Sequence, residues 1–432
     1  MSFRRLALAV INLVGIRMGG AMIGLFSQIL LARLLPPSEV GAVFLAMSVA
    51  AMVSLIATAG YAPLALTVVP RYLALGRRGL LQAFRAAYWR DASVAMMVTT
   101  LAIAGAVLFL PLDAIWRMAL LAGLIAAPGL AFIRMNGAIA NSMRRYHMSY
   151  VPDFLLRPGI LFAFLGLALL FQFHVSAFAV LAVFIASGVV VAGFQALLLG
   201  GDGIFSGLSR GSGRALSPYL RQRAVALIFV ALVAGAFADL VIIIGGFFLK
   251  PDDLALLGVC VRLAALAGFV AQATQGVILP DLAATLTRGD KGNLRRLLLR
   301  SNVVVMTVLI LAILAAAALG PLALGVFGAD YVGGRWLLVL FMVSQFFRGL
   351  GGINQHLLSF AGKQVRTAWS CLGAVLVLGA SALLLVPYLG IAGMGWAAIA
   401  ADLTWAILLA HAAARAAGRR GDILAVMLPA KS

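Results

Sequence analysis

The chain has 432 residues, of which 64% are hydrophobic and only 11% are charged, with a mean hydropathy of +1.10. Soluble domains run nearer about 45–50% apolar and about 25% charged, so this composition excludes an ordinary globular protein. A net charge of +20 and a pI of 11.4 would suit a nucleic-acid binder if the cations lay on a soluble surface. They lie instead in short stretches beside long apolar blocks, where they orient membrane spans and meet anionic membrane lipids, so no nucleic acid is expected as a partner.

Because the blocks are continuous they predict helices; barrel strands would alternate apolar and polar over about ten residues. In chain order the predicted spans are 6–35, 40–69, 91–112, 115–141, 157–172, 176–200, 222–249, 254–279, 301–327, 335–361, 367–388 and 391–416. The first follows Arg4 and Arg5 and is too long for a signal-peptide core, so it is read as a membrane helix. The fifth is short and is expected to reach back through Pro158.

An even number of spans puts both termini on one side, and the basic residues say which. Alternate connections hold Arg71, Arg77, Arg78, Arg85 and Arg90; Arg144, Arg145 and Arg157; Arg210, Arg214, Arg221 and Arg223; Arg288, Lys291, Arg295, Arg296 and Arg300; and Lys363 and Arg366. Arg415, Arg419, Arg420 and Lys431 follow at the C-terminus, and by the positive-inside rule this face, with both ends, is cytoplasmic. The opposite loops carry Glu39, Asp113, Asp252, Asp253 and Asp330 against only a few cations.

The two halves resemble each other. Leu35-Pro36-Pro37-Ser38-Glu39-Val40 recurs, displaced by 214 residues, as Leu249-Lys250-Pro251-Asp252-Asp253-Leu254. Gly76-Arg77-Arg78-Gly79-Leu80-Leu81 has a counterpart in Gly289-Asp290-Lys291-Gly292-Asn293-Leu294. Each of the latter leads into a basic amphipathic stretch, with Leu81, Phe84 and Tyr88 or Leu294, Leu297 and Leu298 on one face, expected to lie along the cytoplasmic interface. The expected architecture is an all-α integral membrane protein of about 12 helices in two pseudo-symmetric six-helix lobes around a central cavity. The lobes are 1–205 and 222–432, the second with a short cytoplasmic tail, joined by a linker over 206–221.

Signs of catalysis are missing. No phosphate-binding Gly-rich loop with its Lys and Ser or Thr is present, the four histidines are scattered, and Glu39 is the only glutamate. Cys260 and Cys371 both fall in apolar blocks and read as packing residues, so neither a metal nor a cofactor is expected.

The informative residues are charges inside spans: Arg17, Arg134, Arg262 and Arg348, with Asp239 and Asp402. Each costs about 2.5–3.5 kcal/mol at a helix centre, so each needs water, a partner or a ligand. In span ten Ser344, Arg348, Gln355 and Ser359 share one helical face with Gln345 at its edge; Arg134, Asn141 and Arg145, and Arg17, Gly24 and Gln28, share others. Arg17, Arg134, Arg262, Arg348, Gln345 and Gln355 are therefore candidates for holding cargo, and Asp239 and Asp402 for coupling to an ion. Internal pairing of the arginines with the two aspartates is the alternative. Four cations against two anions suit an anionic cargo such as a phosphate or pyrophosphate.

The run from Gln28 to Gly41, QILLARLLPPSEVG, resembles the start of the oligosaccharide flippases and polysaccharide exporters of the multidrug/oligosaccharidyl-lipid/polysaccharide (MOP) superfamily. Ala361-Gly362-Lys363 and the run Tyr388 to Ala397, YLGIAGMGWA, are similar to that family's C-terminal half, while Pro36 stands where the family's first loop has Gly. The resemblance implies a flippase for a polyprenyl-pyrophosphate-linked oligosaccharide (an O-antigen, capsule or exopolysaccharide unit) in the bacterial inner membrane. It would be driven by alternating access and coupled to H+ or Na+, with polysaccharide polymerase machinery as a possible partner. A drug/cation antiporter of the same superfamily and a non-transporting scaffold in a polysaccharide-synthesis complex remain as alternatives.

Overall fold

The computed structural model describes residues 3–202, 218–288, 291–417 and Gly421. Most of the predicted linker 206–221 lies outside the described residues, as do Gly289, Asp290 and, apart from Gly421, the tail beyond residue 417 with Arg419, Arg420 and Lys431. Among the described residues all long elements are helical. They are α1 (Phe3–Leu34), α2 (Pro37–Ala57), α3 (Tyr61–Ala74), α4 (Arg78–Phe109), α5 (Ala114–Ser142), α6 (Tyr146–Val151), α7 (Arg157–Phe171), α8 (Ala177–Leu199), α9 (Pro218–Gly246), α10 (Pro251–Arg288), α11 (Lys291–Gly325), α12 (Arg335–Phe360), α13 (Gln364–Leu389) and α14 (Ile391–Ala417). Among the described residues eleven stretches are long and apolar enough to cross a membrane, and Gly235–Gly246 is a shorter apolar helix. The chain divides into two compact units, Met1–Ala231 and Leu232–Ser432.

The third, eighth and ninth predicted spans belong to the longer helices α4, α10 and α11, and three others differ more deeply. The stretch 40–69 is not one helix: α2 ends at Ala57, and Ala59 and Gly60 take positive φ values of 47° and 72° before α3 begins. The Ala224 carbonyl of α9 lies where a side chain on Gly60 would have to go, so both the left-handed turn and the close backbone approach require glycine. Hydropathy runs straight through this break, which is why the sequence pattern merges the two helices.

The fifth span is longer than 157–172. The chain is helical from Tyr146 to Phe171, with a π-helical turn at Pro152–Leu156 joining α6 to α7. The wider turn lets the helix continue past Pro152. Arg157, expected in a loop, therefore lies within a span, paired with Asp153 at 3.1 Å one turn earlier and stacked over Phe184.

The seventh span, 222–249, contains a kink at Ala236, where φ is −132° and ψ is 23°. The two amphipathic stretches are the first turns of α4 and α11. Their apolar faces are buried in protein: Leu81, Phe84 and Tyr88 against Tyr61 and Leu64, and Leu294 and Leu298 against Leu282, Ile353 and Leu357.

In the first unit α2 packs on α5 closely enough that a side chain on Gly123 would meet the Ala46 carbonyl at 2.7 Å. The lone glutamate has a structural task. Glu39, in the first turn of α2, accepts a 2.6 Å hydrogen bond from the Ala177 backbone N–H at the start of α8, whose capping residue Ser176 accepts from Ala179. A carboxylate there meets both an orphan N–H and the positive end of the helix. Glu39→Ala should lower stability by about 1–2 kcal/mol, read as a fall in melting temperature of the detergent-solubilised protein. Glu39→Gln, which keeps the acceptor, should recover part of it.

Candidate functional site

In the second unit α12 and α14 pack side by side, and their contact carries the charged centre of that unit. Arg348, in the middle of α12, donates from its Nη2 to Asp402 Oδ1 of α14 at 2.7 Å. The other carboxylate oxygen, Oδ2, accepts from the hydroxyl of Ser344, one helical turn before Arg348. Both oxygens of a fully buried carboxylate are thus satisfied, as charge in a medium of low dielectric requires.

The guanidinium is also held by rings. It sits 4.0 Å from the centroid of Phe237, in α9 next to the kink, and 5.3 Å from that of Trp405, one turn beyond Asp402 on α14. Flat aromatic faces stabilise a planar cation without withdrawing its donors. The Asp402 side chain is 0% exposed, whereas that of Arg348 is 14% exposed. The cation is therefore less completely enclosed than its counter-ion.

The other predicted residues distribute as follows. Gln345 is half-buried beside Gly268 of α10; a side chain on that glycine would collide with the Gln345 Oε1, so α10 and α12 approach closely there. Gln355 is half-buried further along α12. Asp239, three residues past the kink in α9, and Arg262 of α10 interact electrostatically, making a second acid–base couple in the same unit. In the first unit Arg17 of α1 is half-buried with its guanidinium 5.6 Å from the Phe154 ring, and Arg134 is half-buried in α5. The structure thus brings together Arg348 with Asp402, and Arg262 with Asp239, and it stations Arg17 and Arg134 in the other unit.

Several participants escaped the sequence pattern. Ser344 belonged to the predicted polar stripe, but its partner Asp402 is 58 positions away, and Phe237 and Trp405 look like ordinary membrane-helix residues. A further cluster lies in the first unit: Asp91 accepts from Tyr61 at 2.7 Å and pairs with Arg90 and Arg221, each at 3.1 Å. Among the described residues no three His, Cys, Asp or Glu side chains lie close enough to share a metal ion.

Neither a protein-family model nor a curated protein matches the sequence. Solved structures do match. The inward-facing form of a multidrug-resistance MATE transporter of the MOP superfamily aligns with a TM-score of 0.72 and 12% identity, over 92% of this chain and 96% of the other. The lipid II flippase MurJ, in an inward closed conformation, aligns with a TM-score of 0.69 and 12% identity, over 93% and 87%. The chain has the MOP-superfamily fold. A MOP transporter from Pyrococcus furiosus, described as having a binding pocket of reversed polarity that suggests a different function, also aligns, with a TM-score of 0.55, 13% identity and 93% of each chain covered. At these identities the shared property is the fold, a multi-pass membrane bundle of about twelve helices that is used by drug transporters and by a lipid flippase.

Removing one member of a buried ion pair strands the other charge, at a cost of about 3–5 kcal/mol, whereas replacing both by apolar residues is close to neutral. Arg348→Met and Asp402→Leu should each lower the melting temperature of the purified protein sharply, and the double variant should regain most of the loss. Additive losses in the double variant would contradict the pairing.

Proposed function

We propose that this chain is a flippase for a polyprenyl-pyrophosphate-linked oligosaccharide, working by alternating access in a bacterial inner membrane and drawing on an H+ or Na+ gradient. The observation that supports the proposal is Arg348: a cation inside an apolar helix bundle, held by a buried carboxylate, flanked by two rings, and less completely enclosed than its counter-ion. A pyrophosphate offers several strong acceptors to such a guanidinium, and Arg binds phosphate with directed, paired donors. Fold and cargo class agree, since one protein of this fold is a lipid II flippase.

In this scheme Arg17, Arg134 and Arg262 add positive potential along the path, Gln345 and Gln355 supply neutral hydrogen bonds, and Asp239 and Asp402 exchange between arginine and a coupling cation as the headgroup arrives and leaves. An acid already engaged by an arginine is a poor receptor for a cationic drug, which weighs against the antiporter alternative.

The test uses the folded, charge-neutral double variant Arg348→Met/Asp402→Leu beside the wild type, in proteoliposomes carrying a fluorescent polyprenyl-pyrophosphate-linked sugar. Wild type should translocate the lipid, and the double variant should lose at least about tenfold in rate, roughly 1.4 kcal/mol of lost interaction, at equal protein incorporation. Undiminished flipping by the double variant would remove Arg348 from the mechanism. Transport of a cationic dye with none of the glycolipid would replace the flippase with the antiporter.

A further inference from the structure

The helix α4 parts company with the rest of the first unit. Its opening turns are buried through Leu81, Phe84 and Tyr88, but none of its residues from Trp89 to Phe109 is buried, and Val94, Met97, Val98 and Leu101 are exposed. Behind it, against α5 and the end of α2, lies a cavity of about 420 Å³. That size falls in the range of small-molecule sites, roughly 300–1,000 Å³. Its walls are apolar: Trp89, Met96, Met97 and Leu101 of α4 face Pro128 and Phe132 of α5.

The cavity has the dimensions and the polarity of one membrane leaflet. From Trp89 to Leu101 its α4 wall is about 18 Å long at about 1.5 Å per residue, and half of a hydrocarbon core of roughly 30 Å is about 15 Å. At one end stands the half-buried Trp89, an aromatic type that settles at headgroup level. Next to it Arg90 is exposed, with its Nε on Asp91 at 3.1 Å. Asp91 also pairs with Arg221, so two guanidinium groups share one carboxylate and this end keeps positive charge. The far end, at Leu101, is apolar, and the methionines between can adapt to an irregular chain.

We propose that this cavity holds one acyl chain of an anionic phospholipid from the leaflet at the basic end of α4, with the lipid phosphate at Arg90, and that the bound lipid braces α4 against α5. Charge complementarity at one end and leaflet-length apolar walls select this occupant. The site is independent of the cargo, since it lies wholly within the first unit and uses none of the residues assigned to the glycolipid.

The test is native mass spectrometry of the delipidated full chain, titrated separately with dioleoyl-phosphatidylglycerol and dioleoyl-phosphatidylcholine. One phosphatidylglycerol should bind about tenfold more tightly than phosphatidylcholine. Ala92→Phe, which fills the cavity from α4, should abolish that adduct, and Arg90→Gln should erase the preference between the two lipids while leaving binding. If Ala92→Phe does not purify as a monodisperse protein, Ser93→Phe, at a more exposed position on the same wall, gives the same readout. Equal affinity for both lipids, or a tight adduct that survives cavity filling, would overturn the proposal. So would displacement of phosphatidylglycerol by an equal concentration of a polyprenyl phosphate, which would give the site to an isoprenoid chain instead.

Discussion

A charge inside a membrane bundle has to be held by something, because hydrocarbon supplies neither water nor counter-ions. Asp402 is fully enclosed, and the helices around it are arranged to satisfy it. Ser344 and Arg348 approach from α12, Trp405 comes from its own helix, and Phe237 closes over the cation from α9. Such a pair does not by itself stabilise the fold relative to apolar packing. What it does is hold a guanidinium inside an apolar bundle in a fixed orientation, which apolar residues cannot do.

The same economy appears elsewhere in the molecule. Asp239 faces Arg262, Asp153 pairs with Arg157 across a π-helical turn, and Asp91 gathers Tyr61, Arg90 and Arg221. Acids are scarce in this chain, 13 Asp and Glu against 33 Lys and Arg, and the four carboxylates named here are each engaged by at least one arginine. The surplus of positive charge lies largely in short connections beside membrane spans, where cations meet the anionic headgroups of a bilayer.

Much of the fold was legible because hydropathy over about twenty residues is a strong signal, and the in-span charges stood out against it. What the pattern missed has physical causes. Gly60 breaks the helix where mean hydropathy does not fall, and Thr58 and Pro63 beside it are tolerated in membrane helices, so α2 and α3 read as one span. The fifth span was expected to reach back, but not as far as Tyr146: Pro152 looked like a loop residue, yet a π turn carries the helix through it. The face shared by Ser344 and Arg348 was visible from their spacing of four. Pairing of the arginines with Asp239 and Asp402 was an open alternative, but which arginine meets which aspartate was not legible, since a partner 54 residues distant leaves no periodic trace. The aromatic clamp was equally silent, because Phe237 and Trp405 in apolar helices carry no mark that distinguishes packing from cation binding.

The account rests on a guanidinium that can accept an anionic headgroup while remaining anchored, and equilibrium binding tests this without the complications of transport. Titrating a short-chain polyprenyl pyrophosphate into detergent-solubilised protein should give saturable binding to the wild type that weakens as salt is raised and is lost in Arg348→Met/Asp402→Leu. Undiminished binding by that variant, or a wild type that takes up a lipophilic cation in preference to the pyrophosphate, would contradict it.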